Sequence, residues 1–231
     1  MGDVENVDLY HNLFDNPERL LISGSSNSGK THLLENIIKK YHHRFYRIVV
    51  SGPKNRLFDF EETKGKTELF NTEDDSLYNP LTDIDSFDLK KYGDLQCLAI
   101  YDDLMSQCHT SDVISNLFSK GRHMNVSVVL LMQSYTPQSS SKRSVYPQIK
   151  NNSSIQIFTK MRSQGEIGLI GRRLEYDKTS QLFFSQLIKE QVQQVRYGYL
   201  AVFLDENEEK GRYRNNLCDE DGTPFESVYC K

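Results

Sequence analysis

Short apolar runs recur along the chain, and each is stopped by small or polar residues. Leu20-Leu21-Ile22, the β-branched and aromatic stretch 45–51, the runs 96–101 and 126–132, and the segments 155–158 and 197–204 all have strand length. Between them, apolar residues return at helical spacing over 31–41, in Val113-Ile114-x-x-Leu117-Phe118 with Gly121 as a stop, and over 164–174 and 179–194. The alternation over 20–160 predicts an α/β fold, with a parallel sheet covered by helices on both faces. The stretch 54–90 is acidic and rich in Asn, Thr and Asp; apart from a helix expected near 84–92, its weak periodicity places nothing firmly. Ligands of parallel sheets sit beyond the carboxyl ends of the strands, so the residues that stop the runs are the ones to read for chemistry.

The first run leads directly into Gly24-Ser25-Ser26-Asn27-Ser28-Gly29-Lys30-Thr31, which fits G-x-x-x-x-G-K-[ST] at every position. Its glycines let the chain fold back so that successive backbone N–H groups converge on an anion, Lys30 adds a point charge, and Thr31 offers an oxygen to magnesium. Residues Gly24 to Thr31, with His32 beside them, are therefore expected to bind ATP or GTP with Mg2+, and ATP is the nucleotide expected once the guanine-reading element proves absent. The run 96–101 ends in Asp102-Asp103, the form of a Walker B pair. Asp102 is assigned to magnesium and Asp103 to deprotonating or orienting the attacking water. A further apolar run ends in Gln133, whose amide suits a γ-phosphate or a lytic water; ATPases with an added strand between P-loop and Walker B place a polar sensor there.

With 231 residues and 37% hydrophobic content, the chain can bury one sizeable core. The expected organisation is an N-terminal extension at 1–17, whose Leu13 and Phe14 dock on the body, a P-loop ATPase domain at 18–204, and an acidic tail at 205–231. No apolar run approaches membrane-spanning length and the first residues carry no apolar leader, so neither membrane insertion nor secretion is expected. Gly2 fails as a myristoylation signal because the sixth residue is Asn6. Cys97, Cys108, Cys218 and Cys230 are scattered, which reads as free thiols, and Cys108, His109 and His123 match no zinc spacing. The net charge of −4 does not mark a generic nucleic-acid binder, but acids dominate 59–94 while 142–178 is basic, which points to a locally positive face.

The segments LLISGSSNSGKTHLL, LAIYDDL and SKGRHMNVSVVLLMQSY together resemble the viral DNA-packaging ATPases of the FtsK/HerA superfamily. The likeness is to the poxvirus-type branch, also found in virophages, giant viruses and virus-like transposons, and spans roughly 18–175. Gly121-Arg122-His123 before a strand that ends in Gln carries most of it. The resemblance implies a RecA-like core and a homo-oligomeric ring, pentamer or hexamer. It also implies hydrolysis that drives double-stranded DNA into a capsid, with capsid or vertex proteins as partners. Action would be at the site of virion assembly, in host cytoplasm or nucleus. Lys30, Thr31, Asp102 and Gln133 match the family's motif positions directly. Asp103 departs from the glutamate that many members carry, so the water must sit closer to it or be held partly by Gln133. Ring ATPases also take an arginine from a neighbouring subunit; Arg122 is the first candidate, with Arg143, Arg162 and Arg172 in reserve. Basic residues of 142–173 are the candidates for lining a DNA pore.

Other readings compete. A nucleoside or nucleotide kinase shares the P-loop and length, with Arg172-Arg173 as lid arginines. The absence of N-K-x-D argues against a GTPase. An assembly subunit that binds ATP without turning it over, and a chromosome-partitioning or DNA-end-processing member of the same superfamily, complete the set.

Overall fold

The computed structural model describes residues 13–52, 61–71, 79–82, 92–102, 111–135, 144–175, 177–194, 198–204 and 213–214. Strand β1 (Arg19–Ser23) enters helix α1 (Lys30–Tyr41), and a single 3-10 turn returns the chain to β2 (Phe45–Gly52). Next come β3 (Thr67–Asn71), β4 (Gln96–Tyr101), α2 (Asp112–Lys120), β5 (Val126–Met132) and α3 (Tyr146–Asn152). The remainder is β6 (Ile155–Phe158), α4 (Gln164–Leu174), α5 (Lys178–Leu187), a π-helical continuation at Ile188–Gln193, β7 (Leu200–Phe203) and β8 (Tyr213–Arg214). Among the described residues the strands form one sheet in the order β3-β2-β4-β5-β1-β6-β7-β8.

The central strands are largely apolar because both sheet faces are covered. Alternate side chains of β1 and β5 point to opposite sides. Leu20, Ile22, Val129 and Leu131 join Leu34, Ile37 and Ile38 of α1 in one core layer. Leu21, Val128 and Leu130 join Ile114, Leu117 and Phe118 of α2 and Ile167 and Ile170 of α4 in the other. Leu13 and Phe14 are buried in the α1 layer, as expected, with the Phe14 ring edge-on to Phe45 and Tyr41 at centroid distances of 4.9 and 5.7 Å. Asp15 anchors the same segment through an ion pair with Arg44 at 2.6 Å.

The structure departs from the sequence reading in several places. β3 lies inside the acidic stretch and pairs in parallel with β2, where Arg47 forks onto both carboxylate oxygens of Glu68 at 2.9 and 2.8 Å. Among the described residues every strand pairing within 20–160 is parallel, as expected, and β7 and β8 extend that core with antiparallel strands. Their pairing also carries the sheet past residue 204 into the segment read as a tail. Helix α3 has no counterpart in the expected elements, and the helix expected at 84–92 falls almost wholly outside the described residues. No helix among the described residues is long and apolar enough to cross a membrane.

The sheet order decides where chemistry can occur. β5 lies between β1 and β4 and is parallel to both, so the ends of the three strands sit side by side at one edge.

Candidate nucleotide-binding and hydrolysis site

The loop after β1 is shaped by what it must avoid as much as by what it binds. Gly29, at φ 90°, caps α1 in the left-handed region, and Asn27 takes φ 59°. A Cβ on Gly24 would stand 1.9 Å from Thr159 Oγ1, so only glycine fits there. Gly24 N–H donates to the Met132 carbonyl at 3.1 Å and Ser25 N–H to the Lys160 carbonyl at 2.7 Å, while Ser28 Oγ and Thr159 Oγ1 are 2.6 Å apart. The loop is thus tied to the ends of β5 and β6, which holds its shape. Lys30 Nζ reaches back to the Gly24 and Ser25 carbonyls, 2.8 Å each, which keeps its ammonium over the loop at the start of α1. The positive end of the helix dipole lies in the same place.

A cleft of about 350 Å³ opens beside this loop, lined by Ser26 to His32 together with Asp102, Leu131, Met132 and Gln133. Asp102 is 2% exposed, and its N–H donates to the Ser51 carbonyl at 2.9 Å, extending the β2–β4 ladder to the cleft. Ser26 Oγ donates to Gln133 Oε1 at 3.3 Å, so the expected sensor touches the phosphate loop itself. The donor set fits the expected ligands. A glycine-bounded loop at a helix N-terminus with a lysine above it suits a polyphosphate, and the Thr31 hydroxyl with the Asp102 carboxylate supplies the hard oxygens magnesium prefers. Asp103 lies outside the described residues.

The arginines divide by sheet edge. Arg122 is exposed in the 3-10 turn Gly121–Met124 that feeds into β5, hence at the opposite end of that strand from Gln133. Arg162 follows β6 and is exposed on the loop's side of the sheet, Arg172 is exposed in the last turn of α4, and Arg143 lies outside the described residues. The basic stretch is only partly a surface. Lys160, Arg162, Arg172, Arg173 and Lys178 are exposed, whereas Lys150 is buried, its Nζ 3.9 Å from the Tyr135 ring centroid and 4.3 Å from that of Tyr146.

The sequence reading missed a polar cluster just behind Gln133. Glu166 Oε1 accepts from Ser134 Oγ and from Tyr135 N–H, both at 2.9 Å, and Tyr135 Oη donates to Gln156 Oε1 at 3.0 Å. Burial, opposed by nearby Arg173, pushes the Tyr135 phenol up to about 12. Burial and the charge of Arg173 pull Lys150 down to about 7 against the pull of Glu166. The only signal in the chain was S-x-x-E at Ser163 to Glu166, a helix-start pattern.

With this geometry in place, the match of residues 7–168 to the model of the Poxvirus A32 protein family is decisive. The chain belongs to the Poxvirus A32 family. The matched segment takes in the phosphate loop, Asp102, Gln133 and Glu166. The fold is that of solved viral NTPases. The genome packaging NTPase B204 from Sulfolobus turreted icosahedral virus 2, in complex with AMPPCP, superposes with TM-score 0.57 at 15% identity, covering 82% of this chain and 93% of that one. B204, the DNA-packaging ATPase from Sulfolobus turreted icosahedral virus, gives 0.53 at 14% identity, covering 83% and 93%. The pCW3 conjugation coupling protein TcpA, in monomer form with ATPγS, gives 0.54 at 16% identity, covering 82% of this chain and 58% of that one. No curated protein sequence matches the chain. Membership of the Poxvirus A32 family and this fold bear out the resemblance to packaging ATPases of the FtsK/HerA type.

Proposed function

We propose that this Poxvirus A32 family protein is an ATP-hydrolysing motor that moves double-stranded DNA into a viral capsid at the site of virion assembly. The observation that carries the reading is the insertion of β5 between β1 and β4, with Gln133 bonded to Ser26 of the phosphate loop and Asp102 in the same cleft. A kinase reading gives no role to that inserted strand or to its terminal glutamine. The packaging NTPases of similar fold, and the solved complexes of B204 with AMPPCP and ATPγS, support ATP as the nucleotide.

In this reading the loop amides and Lys30 hold the phosphates, and Thr31 and Asp102 hold magnesium. The bound ion neutralises charge on the β- and γ-phosphates. Gln133 orients a water in line with the γ-phosphorus, and Asp103 accepts its proton. The water oxygen bonds to the γ-phosphorus as the bond to the β–γ bridging oxygen breaks, releasing ADP and phosphate. Arg122 is too far along β5 to reach its own nucleotide, so its catalytic role would be in a neighbouring subunit of a ring, pentamer or hexamer. DNA is gripped through phosphates by exposed basic residues of 142–173, without regard to sequence. Capsid or vertex proteins would anchor the ring.

The test is ATP hydrolysis with and without double-stranded DNA, comparing wild type with Lys30→Ala and Asp103→Asn. Turnover stimulated by DNA and lost in both variants is the expected result. Nucleotide binding without turnover at any DNA concentration would replace the motor with an assembly subunit.

A further inference from the structure

The turn that follows Gln133 is held by a residue from a different element. Through one oxygen, Glu166 accepts both the Ser134 hydroxyl and the Tyr135 backbone N–H. It is the third residue of α4, and its own N–H donates to the capping hydroxyl of Ser163 at 3.2 Å. A glutamate at this position commonly turns back to the N–H of the capping residue. Here the carboxylate crosses instead to the turn after β5, although Glu166 is only 8% exposed and has to be desolvated to do so. The far side of the turn is fixed as well. The Tyr135 hydroxyl donates to Gln156 on β6, the Gln156 amide donates to the Lys150 carbonyl at 3.0 Å, and the Lys150 ammonium stands over the Tyr135 ring. A structural anchor could rest on any of these contacts, yet the buried carboxylate falls on Ser134 and Tyr135, the two residues that follow Gln133.

We propose that Glu166 is a positioning residue for hydrolysis, fixing the turn at Ser134 and Tyr135 so that the Gln133 amide meets the terminal phosphate and the attacking water. The proposal rests on the reading of Gln133 as the water-orienting group. Preorganised donors act because they do not have to move at the moment of reaction. A displacement near 1 Å can cost about 100-fold in rate.

The experiment measures kcat and KM for ATP, the affinity for AMPPCP and for ADP, and the thermal midpoint. The variants are Glu166→Ala, Glu166→Gln and Ser134→Ala, each also combined with Gln133→Ala. Glu166→Ala should lower kcat about tenfold or more, by the cost of misplacement, while KM and AMPPCP affinity stay near wild type. Glu166→Gln keeps an acceptor oxygen and should recover most of the rate, and Ser134→Ala should fall between. On the Gln133→Ala background none of them should cost anything further. An unchanged kcat in folded Glu166→Ala, or an equal loss with Gln133 already removed, would overturn the proposal. If Glu166→Ala does not fold, Ser134→Ala decides by the same two criteria. A wild type without turnover defeats the motor reading separately. In such a protein Gln133 could act on the terminal phosphate only through binding, so Glu166 is then judged by the AMPPCP-to-ADP affinity ratio: Glu166→Ala and Gln133→Ala must lower it by the same factor, and a ratio unchanged in Glu166→Ala rejects the proposal.

Discussion

Ser26 of the phosphate loop donates a hydrogen bond to the side-chain carbonyl of Gln133, 3.3 Å away across the ends of β1 and β5. The pair joins the glycine-bounded loop after β1 to the end of the strand inserted between β1 and β4. Gln133→Ala should therefore reduce kcat by about 100-fold or more, the range for a lost preorganised donor, with little change in nucleotide affinity. Steady-state kinetics beside an AMPPCP titration separates the two. A loss of affinity equal to the loss of rate would make Gln133 a binding residue and not a catalytic one.

Gly24→Ala should abolish nucleotide binding for a steric reason. The new methyl would sit 1.9 Å from Thr159 Oγ1 and 3.1 Å from both the Lys160 carbonyl and Ser28 Oγ. Adding Thr159→Ala removes the worst overlap, and the double variant should recover part of the binding but not all of it. Isothermal titration with AMPPCP reads both. Full binding by Gly24→Ala alone would mean that the β6 end moves away freely.

Arg122 and the nucleotide cleft lie at opposite ends of β5, a strand of 7 residues. At about 3.3 Å per residue this is roughly 20 Å, beyond the reach of any side chain. If Arg122 completes a neighbour's site, mixing inactive Arg122→Ala with inactive Lys30→Ala should restore turnover at mixed interfaces, where an intact nucleotide cleft meets an intact arginine. No recovery, or full activity of Arg122→Ala by itself, would pass the role to Arg162, which lies on the cleft's side of the sheet.

The central strands were legible because burial on both faces leaves nearly continuous apolar runs, and the phosphate loop because its backbone demands glycines at fixed positions. Edge strand β3 was not, since among the described residues β2 is its one neighbouring strand and Leu69 is 45% exposed. Helix α3 was missed because it has only 7 residues and carries a proline in its first turn. From the sequence Lys150 reads as part of a basic surface because lysines are almost never buried. Its aromatic covers come partly from Tyr135, in the turn after β5. The far-edge position of Arg122 was implicit in the order of the chain, because whatever precedes a parallel strand lies at the end away from the ligand.

Phe14→Ala should destabilise without touching chemistry. The ring is 1% exposed, meets Phe45 and Tyr41 edge-on, and lies in the layer around α1. Deleting a buried phenyl costs about 3–5 kcal/mol, which denaturant unfolding will resolve. The KM for ATP of the folded fraction should be unchanged, because Phe14 does not line the cleft.

Stability should rise with pH above neutrality because of Lys150. Burial and Arg173 draw its pKa from 10.5 to about 7 in the folded chain. Between those values the unfolded chain holds a proton that the folded chain has released, so raising the pH favours folding. The gain is at most about 1.4 kcal/mol per pH unit for a full proton. It is complete above the unfolded pKa and lost as the pH falls toward 7. The faces of Tyr135 and Tyr146 favour the ammonium form, as does Glu166, and narrow this window. Tyr135 acts with the opposite sign higher up. Its phenol stays protonated in the folded chain to about 12, so its contribution is full below 10 and disappears as the pH rises through the folded value. Thermal midpoints should climb from pH 7 to about pH 9.5 in the wild type, and Lys150→Met, which keeps the volume and removes the charge, should flatten the slope. A slope that survives Lys150→Met would place the titrating group elsewhere and show that Lys150 keeps its proton beneath the two rings.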